Sequence, residues 1–201
     1  MNNPMAVSQN ARQRRLLLQA TGTLGGVGLV GTMVPFVASM APSEAARSRG
    51  APVEVNLDTA TLGSLVTIAW RGKPVWILHR TSDMLDRLGR HDRLLADPLS
   101  KEAQQPAYAR NATRSLRPDF FVAIGLCTHL GCVPTYRPDA GAADLGDDWP
   151  GGFFCPCHGS KFDLAGRVFR AVPAPLNLEI PPYEYQGETR LVVGQDRSGS
   201  A

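Results

Sequence analysis

Apolar and polar positions divide the chain into a long uncharged run, a polar stretch and a region of short alternating segments. Residues 16–40 carry no charged side chain, and Arg12, Arg14 and Arg15 precede them. At ~1.5 Å per residue, about 25 helical residues cross a ~30 Å hydrocarbon core with some tilt. The run is also longer than the apolar core of an ordinary signal peptide. The pattern therefore predicts one N-terminal transmembrane helix.

The residues before this run indicate its orientation in the membrane. Residues 1–15 are polar, and their arginines favour a cytoplasmic N-terminus, although two arginines also follow the run. The pair Arg14-Arg15 resembles a twin-arginine export signal, with Leu17 at a position where Phe is common. The region after the helix is therefore predicted to lie on the periplasmic side of an inner membrane.

After the helix, the apolar positions change to a period of two. Residues 41–53 are small and polar, which is typical of a linker. Six later segments fit half-buried strands separated by glycine and proline, namely 53–57, 65–70, 75–80, 120–126, 176–180 and 190–193. A helix is predicted from Ser82 to about Leu95, and residues 98–117 are predicted to be a polar surface excursion. These elements predict an all-β antiparallel domain over residues 54–196, followed by a short tail at 197–201.

All four cysteines lie in two short boxes. The first box reads C-T-H-L-G-C over residues 127–132, and the second reads C-P-C-H-G-S over residues 155–160. Each box offers thiolate and imidazole within one turn, so the two boxes can converge on a metal centre. Two Cys and two His suit either a structural zinc ion or a [2Fe–2S] cluster with histidines on one iron. Between the boxes, residues 133–154 predict a solvated acidic loop.

The two boxes resemble those of the Rieske iron–sulfur subunit of cytochrome bc complexes at every position. The resemblance implies four ligands to one Rieske [2Fe–2S] cluster, namely Cys127, His129, Cys155 and His158. It also implies a disulfide between Cys132 and Cys157, a choice that spacing alone does not make. The implied fold is a base domain with an inserted cluster-binding subdomain at about residues 121–175.

Further residues around the boxes match features of the same family. Ser160 is expected to donate a hydrogen bond to a bridging sulfide, and Leu130 to form part of an apolar docking rim. Pro173 and Pro175 resemble the proline loop that covers the third side of the cluster. Phe162 is a departure, because many high-potential members carry a tyrosine there whose hydroxyl donates to a ligand thiolate.

The resemblance implies an electron-transfer subunit of the respiratory ubiquinol–cytochrome c reductase. In such a subunit the cluster takes an electron, together with a proton, from quinol and passes the electron to a c-type cytochrome. His158 is expected to meet the quinol, with His129 beside it. The chain has no C-x-x-C-H haem site of its own, so cytochrome b and a c-type cytochrome are the expected partners. The linker at residues 41–53 would then act as a hinge.

Other classes of protein are less consistent with the sequence. A soluble-type Rieske ferredoxin usually lacks both the second cysteine pair and the anchor. The small subunit of an arsenite-oxidase-like enzyme is an alternative, but the Trp70–Trp76 hairpin favours the bc complex. A zinc-stabilised membrane binding module is a third possibility. Nucleic-acid binding is not indicated, because the net charge is only +3 and no basic patch carries interleaved aromatics.

Overall fold

A computed structural model describes residues 4–41, 43 and 50–196, and the side chains from Arg12 onward. The chain divides into two units, Met1–Ser48 and Arg49–Ala201. Most of the predicted linker and the predicted tail lie outside the described residues, so both stay predictions.

The first unit contains one long helix, α1 (Pro4–Ser39). Within it, residues Arg12–Ser39 are long and apolar enough to cross a membrane, with a mean hydropathy of 1.4. This segment contains the predicted anchor at residues 16–40 except for its last residue, Met40. The helix begins at Pro4, earlier than the predicted anchor, so the polar residues that precede the anchor are also helical.

Within the second unit, residues 50–196 form three antiparallel sheets of three strands each. The first sheet has the order β1-β9-β8 and contains β1 (Val53–Asn56), β8 (Tyr183–Gln186) and β9 (Arg190–Val193). The second has the order β2-β3-β4 and contains β2 (Leu65–Trp70), β3 (Lys73–His79) and β4 (Phe120–Ile124). The third has the order β5-β6-β7 and contains β5 (Thr135–Arg137), β6 (Gly152–Cys155) and β7 (Ser160–Asp163). The predicted all-β antiparallel class is confirmed.

Aromatic packing joins the second sheet to the third. Every residue of β4 is buried, and the Trp76 ring of β3 stacks on the Phe153 ring of β6 at a centroid distance of 4.7 Å. Immediately after β4, a Cβ atom at Gly125 would overlap the Trp76 indole. The strand can therefore pass against the Trp76 ring only with glycine at this position, and it then enters the first cysteine box.

Residues 50–196 contain one α-helix, α2 (Ser82–Leu88), and it is shorter than predicted. Its N-cap is Thr81, whose hydroxyl oxygen accepts a hydrogen bond from the Met84 N–H. The helix ends before Gly89, a residue with low helix propensity, and a short 3-10 helix at Asp92–Leu94 follows. The apolar spacing continued beyond Gly89, but the helix did not.

Three predictions about irregular segments were wrong. Residues 176–180 form no strand, because their backbone groups make isolated hydrogen bonds to different segments instead of a ladder with one strand. The Leu178 N–H, for example, donates to the Gly166 carbonyl at 2.8 Å. Residues 133–154 are not a simple loop, since they contribute β5 and most of β6. Residues 98–117 are not only a surface excursion, because Arg114 is completely buried.

Candidate metal centre

The two boxes fold into equivalent turns. In the first, the Gly131 N–H donates to the Cys127 carbonyl at 2.9 Å, and in the second the Gly159 N–H donates to the Cys155 carbonyl at 2.9 Å. The two glycines have φ values of +80° and +78°, a left-handed conformation that other residues adopt only with strain. Each turn therefore places a cysteine and a histidine on one short loop, and a glycine occupies the left-handed position that closes the turn.

The two boxes are connected to strands of two different sheets. The first box follows β4 and is closed by the Cys127 N–H, which donates to the Cys132 carbonyl at 2.7 Å. The second box is the connection between β6 and β7, and Cys155 pairs with Ser160 in that ladder. The loops thus rest on the strands whose aromatic side chains pack together.

A third segment is fastened to both boxes. The Ala174 N–H donates to the Ser160 hydroxyl oxygen at 3.0 Å, and the Thr128 hydroxyl donates to the Leu176 carbonyl at 2.7 Å. The Ser160 side chain is buried, and its hydroxyl hydrogen is still available for a further acceptor. The segment that contains Ala174 and Leu176 is therefore hydrogen-bonded to both boxes, and the covering of a cluster by Pro173 and Pro175 stays a prediction.

A disulfide joins Cys132 to Cys157 across 25 residues, which is the pairing that the resemblance implied. The Sγ of Cys155 lies within 4.8 Å of both bridged sulfurs. Because the bridged sulfurs are already covalently paired, they are not metal ligands. Two thiols are left for a metal, Cys127 and Cys155, and both are buried.

The environment of Cys155 favours the neutral thiol when no metal is bound. Burial raises the pKa of Cys155, and its hydrogen bond with the Cys127 thiol raises it further. The backbone N–H groups of Cys157 and His158 lower that pKa, but they do not outweigh the other two effects. Metal binding at this site therefore has to displace protons, since the thiolate is the ligand.

The two box histidines lie together. The His129 and His158 rings stand edge to face, with their centroids 4.8 Å apart. His158 is exposed and His129 is half-buried, while the neighbouring Leu130 is 71% exposed. Pro173 and Pro175 are also exposed. The donor set of two buried thiols and two accessible imidazoles fits a [2Fe–2S] cluster with mixed ligation, and by chemistry alone it also fits zinc.

The other two histidines make packing contacts. His79 stacks on Phe120 at a centroid distance of 4.3 Å, and its Nδ1 lies 2.8 Å from the Ala60 carbonyl. His91 is 6% exposed and lies parallel to the Phe169 ring. Neither belongs to the two boxes.

A buried ionic group next to the second box was not predicted. Asp163 ends β7, and its Oδ2 accepts from the Arg167 Nε at 2.7 Å and lies 3.2 Å from the His91 Nε2. Burial raises the pKa of Asp163, but the charge of Arg167 and the bond with His91 outweigh burial and hold that pKa below its usual range. The spacing of four residues between Asp163 and Arg167, around the turn at Gly166, was the available signal.

Comparison with known proteins decides between the alternatives for the metal. Residues 104–183 match the family described as Rieske [2Fe-2S] domain, and residues 5–43 match the family described as Ubiquitinol-cytochrome C reductase Fe-S subunit TAT signal. The chain is 55% identical to the ubiquinol-cytochrome c reductase iron-sulfur subunit of Allochromatium vinosum, over 96% of this chain and 92% of the relative. The chain belongs to the Rieske iron–sulfur subunit family.

Other Rieske relatives extend from bacteria to mitochondria. The iron-sulfur subunit of Bradyrhizobium diazoefficiens is 38% identical, over 90% of this chain and 94% of the relative. The mitochondrial cytochrome b-c1 complex Rieske subunit of Saccharomyces cerevisiae is 40% identical, over 89% of this chain and 73% of the relative. The cofactor of this Rieske chain is therefore a [2Fe–2S] cluster, and its apolar α1 coincides with the matched signal region of a membrane-anchored respiratory subunit.

Proposed function

We propose that this chain carries electrons from ubiquinol to a c-type cytochrome as the Rieske subunit of ubiquinol–cytochrome c reductase. The observation that carries the proposal is the pair of boxes, which hold two buried free thiols beside two accessible imidazoles. The 55% identity to a subunit with that name supports the same activity.

The ligand set follows from the free donors. Cys127 and Cys155 would hold one iron, and His129 and His158 would hold the other. When bound, a [2Fe–2S] cluster with two imidazole ligands exchanges one electron at a higher potential than an all-thiolate cluster. The bridge between Cys132 and Cys157 would keep the two ligand loops together during this exchange.

The exposed end of the site would meet the reaction partners. An imidazole that binds a metal through one ring nitrogen keeps the other nitrogen for a hydrogen bond, so exposed His158 can accept a proton from a quinol hydroxyl. His129 stands beside it, and the exposed Leu130 supplies an apolar rim against which a protein partner can close. Pro173, Pro175 and Ser160 would shield the remaining side.

The expected partners are cytochrome b and a c-type cytochrome subunit at the inner membrane. The arginines ahead of the apolar run in α1 favour a cytoplasmic N-terminus, and a disulfide persists in the periplasm, so both features support a periplasmic cluster domain. The linker at residues 41–53 would let that domain move between its two partners.

Activity of the intact complex tests this proposal. Purification from membranes through this chain should recover b-type and c-type haem together with quinol–cytochrome c reductase activity. Leu130→Asp should lower turnover at least tenfold while the cluster signal is unchanged, because a charge at the docking rim has to be desolvated on contact. Leu99→Asp is the matched control, since Leu99 is 65% exposed but lies outside the boxes. Wild-type turnover in Leu130→Asp, or purification without haem, would contradict the proposal.

We expect the midpoint potential to fall as pH rises, because the imidazole nitrogen that faces solvent couples reduction to proton uptake. Loss of that proton favours the oxidised state, so the slope should approach about −59 mV per pH unit where one proton accompanies one electron. Redox titrations between about pH 6 and 10 measure this slope. His79→Gln should leave it unchanged, and a flat wild-type potential over the same range would rule out proton coupling.

Phe162→Tyr should raise the midpoint potential by tens of millivolts. Phe162 is fully buried in β7, two residues beyond Ser160 in the second box. A hydroxyl added there would donate toward a ligand thiolate, withdraw negative charge and favour the reduced state. A tenfold change in a one-electron equilibrium corresponds to ~59 mV, which sets the scale.

Two comparisons control this prediction. Ser160→Ala removes a donor and should lower the potential, whereas Phe154→Tyr adds a hydroxyl on the other face of the neighbouring strand and should leave it unchanged. An unchanged potential in Phe162→Tyr, with the new hydroxyl shown to contact the Cys127 sulfur, would refute the explanation.

A further inference from the structure

The interior of the second unit holds more positive than negative charge. Arg80, Arg114 and Arg167 are 1%, 0% and 1% exposed, whereas Asp163 is the one carboxylate that is fully buried among residues 50–196. Arg167 is neutralised by Asp163 and by Asp92, whose oxygens lie 2.7 Å and 2.8 Å from guanidinium nitrogens. The charges of Arg80 and Arg114 are therefore left without a carboxylate partner in direct contact.

Arg114 is held entirely by neutral acceptors. Its guanidinium donates to the carbonyls of Ala165 at 3.1 Å, Gly166 at 3.2 Å and Leu178 at 2.7 Å, and to the Gln105 side-chain oxygen at 2.9 Å. Such acceptors satisfy the terminal N–H groups, whereas the Nε–H has no hydrogen-bond partner, and they do not cancel the net charge. Asp163 and Asp97 attract the Arg114 charge without contacting it, and Arg167 repels it, so the positive charge in the interior is only partly offset.

The chain maintains this charge against two costs. Arg114 has a φ of +49°, a strained conformation for a residue other than glycine. Burial lowers the pKa of Arg114 to about 10, so the side chain is still protonated at neutral pH. An apolar side chain would avoid the cost of burying a charge, but it would leave the Ala165, Gly166 and Leu178 carbonyls without these bonds. The cation that makes these bonds also acts electrostatically on any charge that changes nearby.

The contacts of Arg114 lead directly to the metal site. The Leu178 carbonyl that it binds lies two residues after Leu176, whose carbonyl accepts from Thr128 of the first box. Two extended residues span about 7 Å, so the guanidinium lies within about 12 Å of Thr128, which neighbours the proposed ligand Cys127. The second box is also near, since Arg114 binds the turn that follows β7.

We propose that the buried charge of Arg114 raises the reduction potential of the cluster, with Arg80, which donates to the Leu164 carbonyl just after β7 at 3.3 Å, adding to the same effect. The inference rests on the proposed function. Reduction adds one negative charge at the metal site, and a cation in the low-dielectric interior stabilises that charge. The ~12 Å to Thr128 sets the scale of the separation: at that distance and an effective dielectric constant of about 20, one charge changes a one-electron equilibrium about tenfold, or ~59 mV, and less at a longer distance.

Paired substitutions separate charge from structure. The readout is the midpoint potential of the cluster in the intact chain, followed by electron paramagnetic resonance during a redox titration. Arg114→Gln removes the charge. The equilibrium constant for one-electron reduction should fall about three- to tenfold, so the midpoint potential should fall by about 30 to 59 mV. Arg114→Lys keeps the charge but loses the guanidinium geometry, and it should stay close to the wild type. Arg110→Gln, at an exposed arginine, should cause no shift because solvent screens its charge.

A variant that removes a negative charge, and should shift the potential in the opposite direction, completes the test. Asp163→Asn removes the buried negative charge and should raise the potential. Arg80→Gln and Arg80→Lys repeat the charge comparison and replace the first pair if Arg114→Gln does not retain its cluster. An equal fall in the Gln and Lys variants, or a potential that does not move in either Gln variant, would overturn the inference. A wild-type chain without a [2Fe–2S] cluster would instead contradict the proposed function.

Discussion

Cys132→Ser should yield a chain that keeps its three sheets and loses most of its cluster. The two ligand loops leave different sheets, and the bridge from Cys132 to Cys157 is the covalent link between them. A disulfide across 25 residues contributes about 3 kcal/mol, in part by restricting the open loops. We expect iron content per chain to fall at least tenfold, while far-ultraviolet circular dichroism changes little.

Two measurements control this result. Val133→Ser alters the neighbouring exposed residue and should keep the iron content of the wild type. Mass spectrometry of the alkylated, unreduced wild type should find Cys132 and Cys157 unmodified by the alkylating agent. Free thiols at both positions would show that the bridge is absent.

Asp163→Asn should destabilise the second unit by about 3 to 5 kcal/mol, because it leaves the buried Arg167 charge without its inner partner. The Asn oxygen can still accept from the backbone N–H groups of Ala165 and Arg167, but an amide NH₂ replaces the oxygen that accepts from the Arg167 Nε–H. These bonds hold the turn that follows β7. Chemical denaturation monitored by tryptophan fluorescence measures the loss.

The pH dependence of stability tests the contribution of the Asp163 carboxylate. Its pKa is held below the usual range, so its contribution is complete above about pH 3.9, the ordinary aspartate value, and is lost as pH falls through the lower folded-state pKa. The wild type should therefore lose more stability in acid than Asp163→Asn does. Asp144→Asn is the control, since Asp144 also pairs with an arginine but is exposed, and it should change stability little. Equal losses in the two Asn variants would contradict the role of Asp163.

The turns of the two cysteine boxes could be predicted because their information is local, whereas the choice of ligand and bridged cysteines came from the family resemblance. Each box fits within six residues, and the Cys, His and Gly spacing determines a turn whatever the surrounding fold. The same holds for the β2–β3 hairpin, where a glycine turn lies between two apolar segments. Short-range patterns of this kind need no knowledge of distant partners.

Elements that depend on distant partners could not be predicted. Residues 176–180 have a strand-like pattern, but their N–H groups bond to turns elsewhere rather than to a neighbouring strand. Arg80 and Arg114 were not recognised as buried, because arginine is usually exposed and only the fold brings carbonyl groups around them. The polar sequence around Arg114 therefore predicted a surface excursion, whereas the structure buries its guanidinium.

Pulsed electron paramagnetic resonance of the reduced protein, labelled with ¹⁵N-histidine, tests the central claim most directly. If Cys127, His129, Cys155 and His158 hold a [2Fe–2S] cluster, the spectrum contains couplings from two histidine nitrogens. His79→Gln should leave both couplings unchanged, and substitution of either box histidine should remove them or abolish the cluster. A paramagnetic cluster without histidine coupling, or a protein that contains zinc and no iron, would contradict the assignment.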